Sequence, residues 1–192
     1  MSRNTTPTAP SRARRILLAG GLLGVGGLAV GAGYVAANRQ HPIASAQFVD
    51  LAHAVGTLER LAVAPLHTRE GWDLARVLRH ATQSIEYSLE GFPQPKPAWF
   101  QATLGTAAFA VFSARGRMSH NLTEPIPGAP AIAGDQPLGP AAQAAIEMLH
   151  RFDRHAGALA PHFAYGALGK ADYLRAHLMH LADHWQWVDG GT

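Results

Sequence analysis

Cysteine is missing from the 192 residues, which excludes disulfides, thiolate metal ligands and thiol nucleophiles. Charge is sparse as well, at 15% of the chain, and acidic residues are missing altogether from the first 46 positions. Arg3, Arg12, Arg14, Arg15 and Arg39 stand there instead, leaving 11 Lys and Arg against 13 Asp and Glu in the remainder. The sequence pI near 9.7 is therefore a property of the leader. Beyond it the basic residues are scattered and no basic-aromatic ladder runs along the chain, which argues against a nucleic-acid partner. Strand-type alternation and internal repeats are lacking too. So is a Gly-x-Ser-x-Gly turn or a Gly-rich oxyanion loop, and Ser-His-Asp catalysis is excluded with it.

What the leader does have is order. Arg14-Arg15 directly precedes an uncharged apolar run, Ile16 to Ala37, and Ala44-Ser-Ala46 offers small residues before Gln47. Residues 1–46 read as a twin-arginine-type signal peptide, removed after Ala46. This makes the protein a passenger of the twin-arginine export machinery and places it in the periplasm. The alternative is an uncleaved anchor, because 22 apolar residues suffice to span a bilayer. In that case the protein is held at the inner membrane, facing the periplasm, and touches the membrane only through the leader.

Residues 47–192 suit one domain with its own core. Apolar residues at helical spacing predict five helices. The first covers 47–62 through Phe48, Leu51, Val55, Leu58 and Leu61, and the second runs from Trp72 to Leu89. Gly91 ends the second, and Pro93, Pro95 and Pro97 stiffen the connector. A third covers Ala98 to Ser119 through Trp99, Phe100, Leu104, Ala108, Val111 and Phe112. After a proline-rich loop, a lid or a linker at 125–140, the fourth covers Ala141 to Leu159, and the fifth follows Gly169. The fold class is all-α, an antiparallel four-helix-type bundle with five predicted helices.

The fifth helix carries the chemistry. His180 and His184 are four residues apart, about 40° around the helix and about 6 Å along it, so both rings can reach one point. His177 stands one turn earlier, beside a buried seam of Leu174, Leu178, Leu181, Trp185 and Val188. A divalent metal is one way to satisfy such desolvated rings. His80, on a face of the second helix shared with Asp73, Ser84 and Tyr87, is the best third ligand. Spacing alone leaves metal binding and ordinary packing both open, because the glutamate of the His-Glu-x-x-His motif is lacking. His41, His53, His67, His120, His150, His155 and His162 read as surface or hydrogen-bonded residues. Glu147-Met-Leu-His150 is a single Glu-x-x-His unit where a di-iron bundle needs two.

His80, the Pro161-His-Phe-Ala-Tyr-Gly166 loop and His180-Leu-Ala-Asp-His184-Trp-Gln186 together resemble the DinB-like superfamily. Ser84 to Pro93, Lys96-Pro97, Arg115-Gly-Arg-Met-Ser-His120 and Glu124 to Pro130 resemble an uncharacterised, domain-of-unknown-function branch of it. The resemblance implies a helical bundle binding a divalent metal, zinc, nickel, iron or manganese, through His80, His180 and His184. Trp185 replaces the arginine that follows the second ligand in better-known members. Those members include low-molecular-weight-thiol-dependent transferases and isomerases and metal hydrolases acting on small-molecule substrates. A non-catalytic metal- or small-ligand-binding envelope protein is the other expectation. His177 and Tyr87 are then ligand-orienting or proton-transfer residues, and Arg115 and Arg117 could meet an anionic substrate.

Overall fold

Asp50 opens the first helix, α1 (Leu51–Arg60), by accepting the His53 backbone N–H at 2.9 Å. Asp73 does the same for α2 (Leu74–Glu90), accepting the Arg76 N–H at 2.8 Å. A short carboxylate at this position satisfies a donor that the first helical turn leaves free. Gly91 ends α2 with a positive φ. These elements come from a computed structural model, which describes residues 41–61 and 64–189.

The third helix, α3, is continuous over residues 98–115 but has an irregular middle. Ala98–Phe100 and Thr106–Arg115 are α-helical, while Gln101–Gly105 is a π turn in which the Thr106 N–H reaches back to the Gln101 carbonyl. The Thr106 hydroxyl donates to the same oxygen at 2.7 Å. Such a turn shifts the phase of the apolar face relative to a regular helix. Hence Trp99 and Leu104, expected along the helix, are 66% and 58% exposed, and Phe109 is the buried aromatic. The turn also seats a loop, since a Cβ on Gly105 would collide with the Ala164 carbonyl. The helix stops at Arg115, short of the expected Ser119. Gly116 takes a left-handed φ of 65° and folds its N–H back to Phe112 and Ser113.

The fourth helix, α4 (Leu138–Arg154), starts and ends earlier than its apolar pattern suggests. Pro140 fits in its first turn, where no N–H is needed. The fifth, α5 (Lys170–Trp185), carries the histidines. Helix α2 packs on α4 and α5, α1 packs on the same two, and α3 leans on α5. Phe48, Leu58, Leu78, Ile85, Leu149, Phe152, Met179 and Leu181 fill the space between them. Each such side chain contributes about 1.5–3 kcal/mol by leaving water. The expected all-helical bundle is what forms; no strand occurs among the described residues, only isolated bridges at Thr68–Val188 and His162–Gly166.

Residues 41–46 belong to this body. Ile43 is buried in the core, and the Ala44 N–H donates to the Gly116 carbonyl at 2.8 Å. The Arg175 guanidinium of α5 donates to the His41 carbonyl at 2.6 Å and also holds the Ser113 carbonyl and hydroxyl. A side chain on Gly116 would strike the Pro42 carbonyl. The twin-arginine pair and the apolar run lie outside the described residues. Within the described residues no helix is long and apolar enough to cross a membrane.

Candidate metal centre

Four histidine rings meet where α2 and α5 face each other. His80 comes from α2, and His180 and His184 come from α5. His120 comes from the segment that follows α3. One nitrogen of each lies within 4.8 Å of the others. His180 Nε2 and His184 Nε2 are 3.1 Å apart, as the four-residue spacing requires. The His80 ring stands 5.0 Å from that of His180 and 5.3 Å from that of His184, centroid to centroid. His120 closes the group at 4.8 Å and 5.0 Å from the same two rings.

Burial keeps His80, His180 and His184 neutral. It pushes His80 down to about 4, helped by the neighbouring His120 and Arg76. It pushes His184 to about 2, with His120 and His80 adding to the effect. His180 is held well below the usual range by burial first, and then by His184, His80, His120 and His177. Each neutral imidazole presents one lone pair and one N–H. His80 Nδ1 and His184 Nδ1 are buried with no hydrogen-bond partner. A group of histidine nitrogens gathered within 4.8 Å of one another fits a divalent cation, for which imidazole is the commonest nitrogen ligand.

A cavity of about 310 Å³ opens beside the cluster. His80, His120 and His180 form part of its wall, and Met118, Ile126, Pro127 and Phe163 form an apolar part. Lys96 and Glu124 are its charged side chains, and Asn121 and Tyr165 add neutral polar groups. Burial raises the Tyr165 phenol to about 12, so it stays protonated. The proline-rich loop contributes Pro125, Ile126 and Pro127, whereas Arg115 and Arg117 do not line this cavity.

The Pro161–Gly166 loop builds the opposite wall. His162 Nδ1 accepts the backbone N–H groups of Ala164 and Tyr165, each at 3.1 Å, and its ring stacks on Tyr165. His162 and Gly166 exchange two backbone bonds. Gln101, in the π turn of α3, donates to the carbonyls of Lys96 and Phe163 and ties the wall to that helix. His177 is also buried in the cavity wall, 3.2 Å from the Ser88 hydroxyl. That hydroxyl donates to the Ile85 carbonyl at 2.6 Å, so His177 Nε2 must be the donor toward it. Burial holds both rings down to about 3, and the neighbouring His177 adds to the effect on His162. Tyr87 packs against Phe92 and is not part of the cavity wall.

A profile of the family described as "Protein of unknown function (DUF1569)" matches residues 41–190. The chain belongs to this family. No curated protein and no solved structure matches it significantly. The DUF1569 match takes in all four clustered histidines and begins at His41, whose carbonyl accepts from the Arg175 guanidinium of α5. Of the three sequence-derived ligand positions, the fold brings together all three. It adds His120, which reads as a surface residue in the sequence because no helical period points it at the others.

Proposed function

We propose that this protein binds a divalent metal through the helix-borne His80, His180 and His184, and acts on a small molecule held in the adjoining cavity. The observation carrying this reading is the convergence of histidine nitrogens within 4.8 Å of one another. A bound divalent ion supplies Lewis acidity, which activates water or a thiol. The protein's own groups do the rest. The Lys96 ammonium and the Tyr165 hydroxyl offer donors to a bound molecule, and Met118, Ile126 and Phe163 exclude water from its apolar part. His177, with its pKa near 3, is too weak a base to take protons near neutrality and serves as a hydrogen-bonding wall.

The reaction class follows from the resemblance to DinB-like proteins: metal-dependent hydrolysis or thiol transfer. Zinc, nickel, iron and manganese all suit imidazole donors. A second reading, metal or ligand capture without turnover, is favoured by the presence of a fourth nitrogen, since a filled shell leaves no position for water. Metal analysis of the purified protein, followed by an ester and thiol substrate screen with and without chelator, tests both. Stoichiometric metal with chelator-sensitive turnover supports the enzyme. Stoichiometric metal with no turnover supports capture, and no stoichiometric metal sinks the reading altogether.

The leader is read as a twin-arginine export signal that sends the domain to the periplasm, with an inner-membrane anchor as the alternative. Removal before Gln47 would strip Ile43 from the core and the His41 carbonyl from Arg175. We therefore place the boundary upstream of His41 or keep the leader attached. N-terminal sequencing of the protein from fractionated cells decides, and a mature chain starting at Gln47 would refute this placement.

A further inference from the structure

His120 differs from the other clustered histidines in how it gets there. The other three are fixed by helices, but His120 lies beyond the end of α3 on a segment without regular structure, and its side chain is partly exposed. A side chain so placed has no helical reason to point inward. What holds it is Asp183, which sits on α5 between His180 and His184 and whose side chain is only 7% exposed. Asp183 Oδ2 accepts the His120 backbone N–H at 3.2 Å and His120 Nδ1 at 2.7 Å. Its other oxygen accepts the Gln186 side-chain amide at 3.1 Å.

We infer that Asp183 is a positioning residue that makes His120 a fourth metal ligand, completing an all-nitrogen shell. The inference rests on the metal reading above and adds the ligand and its support. With Nδ1 donating to the carboxylate, Nε2 is the ring nitrogen left for a metal. A carboxylate behind a ligating imidazole fixes the tautomer and ring orientation and raises the basicity of the donor nitrogen. The two-point grip, on backbone and ring together, fixes the segment as well as the side chain. Placing the clamp between two ligands of one helix ties the segment to α5, in addition to the burial of its neighbours Met118 and Leu122. Four imidazoles would fill the shell of a four-coordinate ion, whereas an ion that takes more ligands would keep positions for water or substrate.

The test uses cobalt(II), whose visible absorption reports coordination, bound to the full chain and to His120→Ala, Asp183→Ala and Asp183→Asn. The full chain should take one equivalent with the intense bands of a four-nitrogen tetrahedral site. His120→Ala should weaken binding by about 10–100-fold and change the bands as water enters. Asp183→Ala should move both readouts in the same direction, and the double variant should be no worse than His120→Ala alone. Asp183→Asn, nearly isosteric, covers the case in which Asp183→Ala fails to fold. Cobalt bound by all variants with unchanged affinity and bands would overturn the assignment while leaving the three-histidine centre intact. Changes in Asp183 variants without changes in His120→Ala would overturn it too. No stoichiometric cobalt on the full chain would remove the metal reading itself.

Discussion

Two groups of histidines stand at or beside one cavity, and they are built on opposite principles. His162 and His177 have protein partners: two backbone N–H groups for the first, the Ser88 hydroxyl for the second. His80, His180 and His184 face one another, and two of their ring nitrogens are buried without any partner. Burial lowers the pKa in both groups, so a perturbed histidine by itself does not mark a metal site. The distinguishing property is what the ring nitrogens meet. In one group they meet hydrogen-bonding groups of the fold; in the other they meet one another.

The contrast is sharpest in metal affinity. His80→Ala or His180→Ala should lower it by at least about 100-fold, as expected for loss of one of a few ligands. His162→Asn and His177→Gln should leave the stoichiometry unchanged in the same competition titration. Equal losses from both groups would erase the distinction. In stability the order should reverse. His162→Ala removes the acceptor for two N–H groups and opens a cavity, at about 2–4 kcal/mol, read from urea unfolding of metal-free protein. His120→Ala should cost less than about 1 kcal/mol in that measurement, because its pair with Asp183 is partly exposed.

Acid should expose what the two groups share. Their folded pKa values lie below the ordinary 6.5, at about 3 for His162 and His177. Between those values the unfolded chain takes up protons that the folded one refuses. The contribution to stability is thus complete above about pH 6.5 and is lost as pH falls toward 3. Metal-free protein should lose up to about 1.4 kcal/mol per pH unit for each such histidine. A flat unfolding profile from pH 7 to 5 would mean these rings are not buried neutral. The smallest effect is expected from Ser88→Ala, which removes the partner of His177. It should cost about 1 kcal/mol with no change in metal binding.

The bundle was legible because helix faces repeat. Leu74, Val77, Leu78, Ala81 and Ile85 on α2, and Leu178, Leu181, Trp185 and Val188 at the end of the chain, are buried where their spacing puts them. The same arithmetic pairs His180 with His184, since one helix carries both. His80 was within reach because it flanks a buried seam. His120 was not, because its approach depends on a helix ending at Gly116 and on Asp183, 63 residues away. The signal the sequence carries for it is the Arg115 to His120 stretch, a family resemblance rather than a helical period. The π turn was equally hidden, since Gln101–Gly105 has no composition that sets it apart from a regular helix.

That turn bears on which lengths of this chain can fold into the same site. A π turn holds one residue more than the regular turn it replaces, so deleting one residue within Gln101–Gly105 lets Ala98–Phe100 and Thr106–Arg115 run on as a single α-helix with both ends in place. The helix itself would be more regular for the loss. The notch at Gly105 that receives the Ala164 carbonyl would close, and Gln101 would no longer hold the Lys96 and Phe163 carbonyls together. A chain shortened by that one residue should therefore fold as the same bundle with a different cavity wall, keeping the fold and losing the binding site.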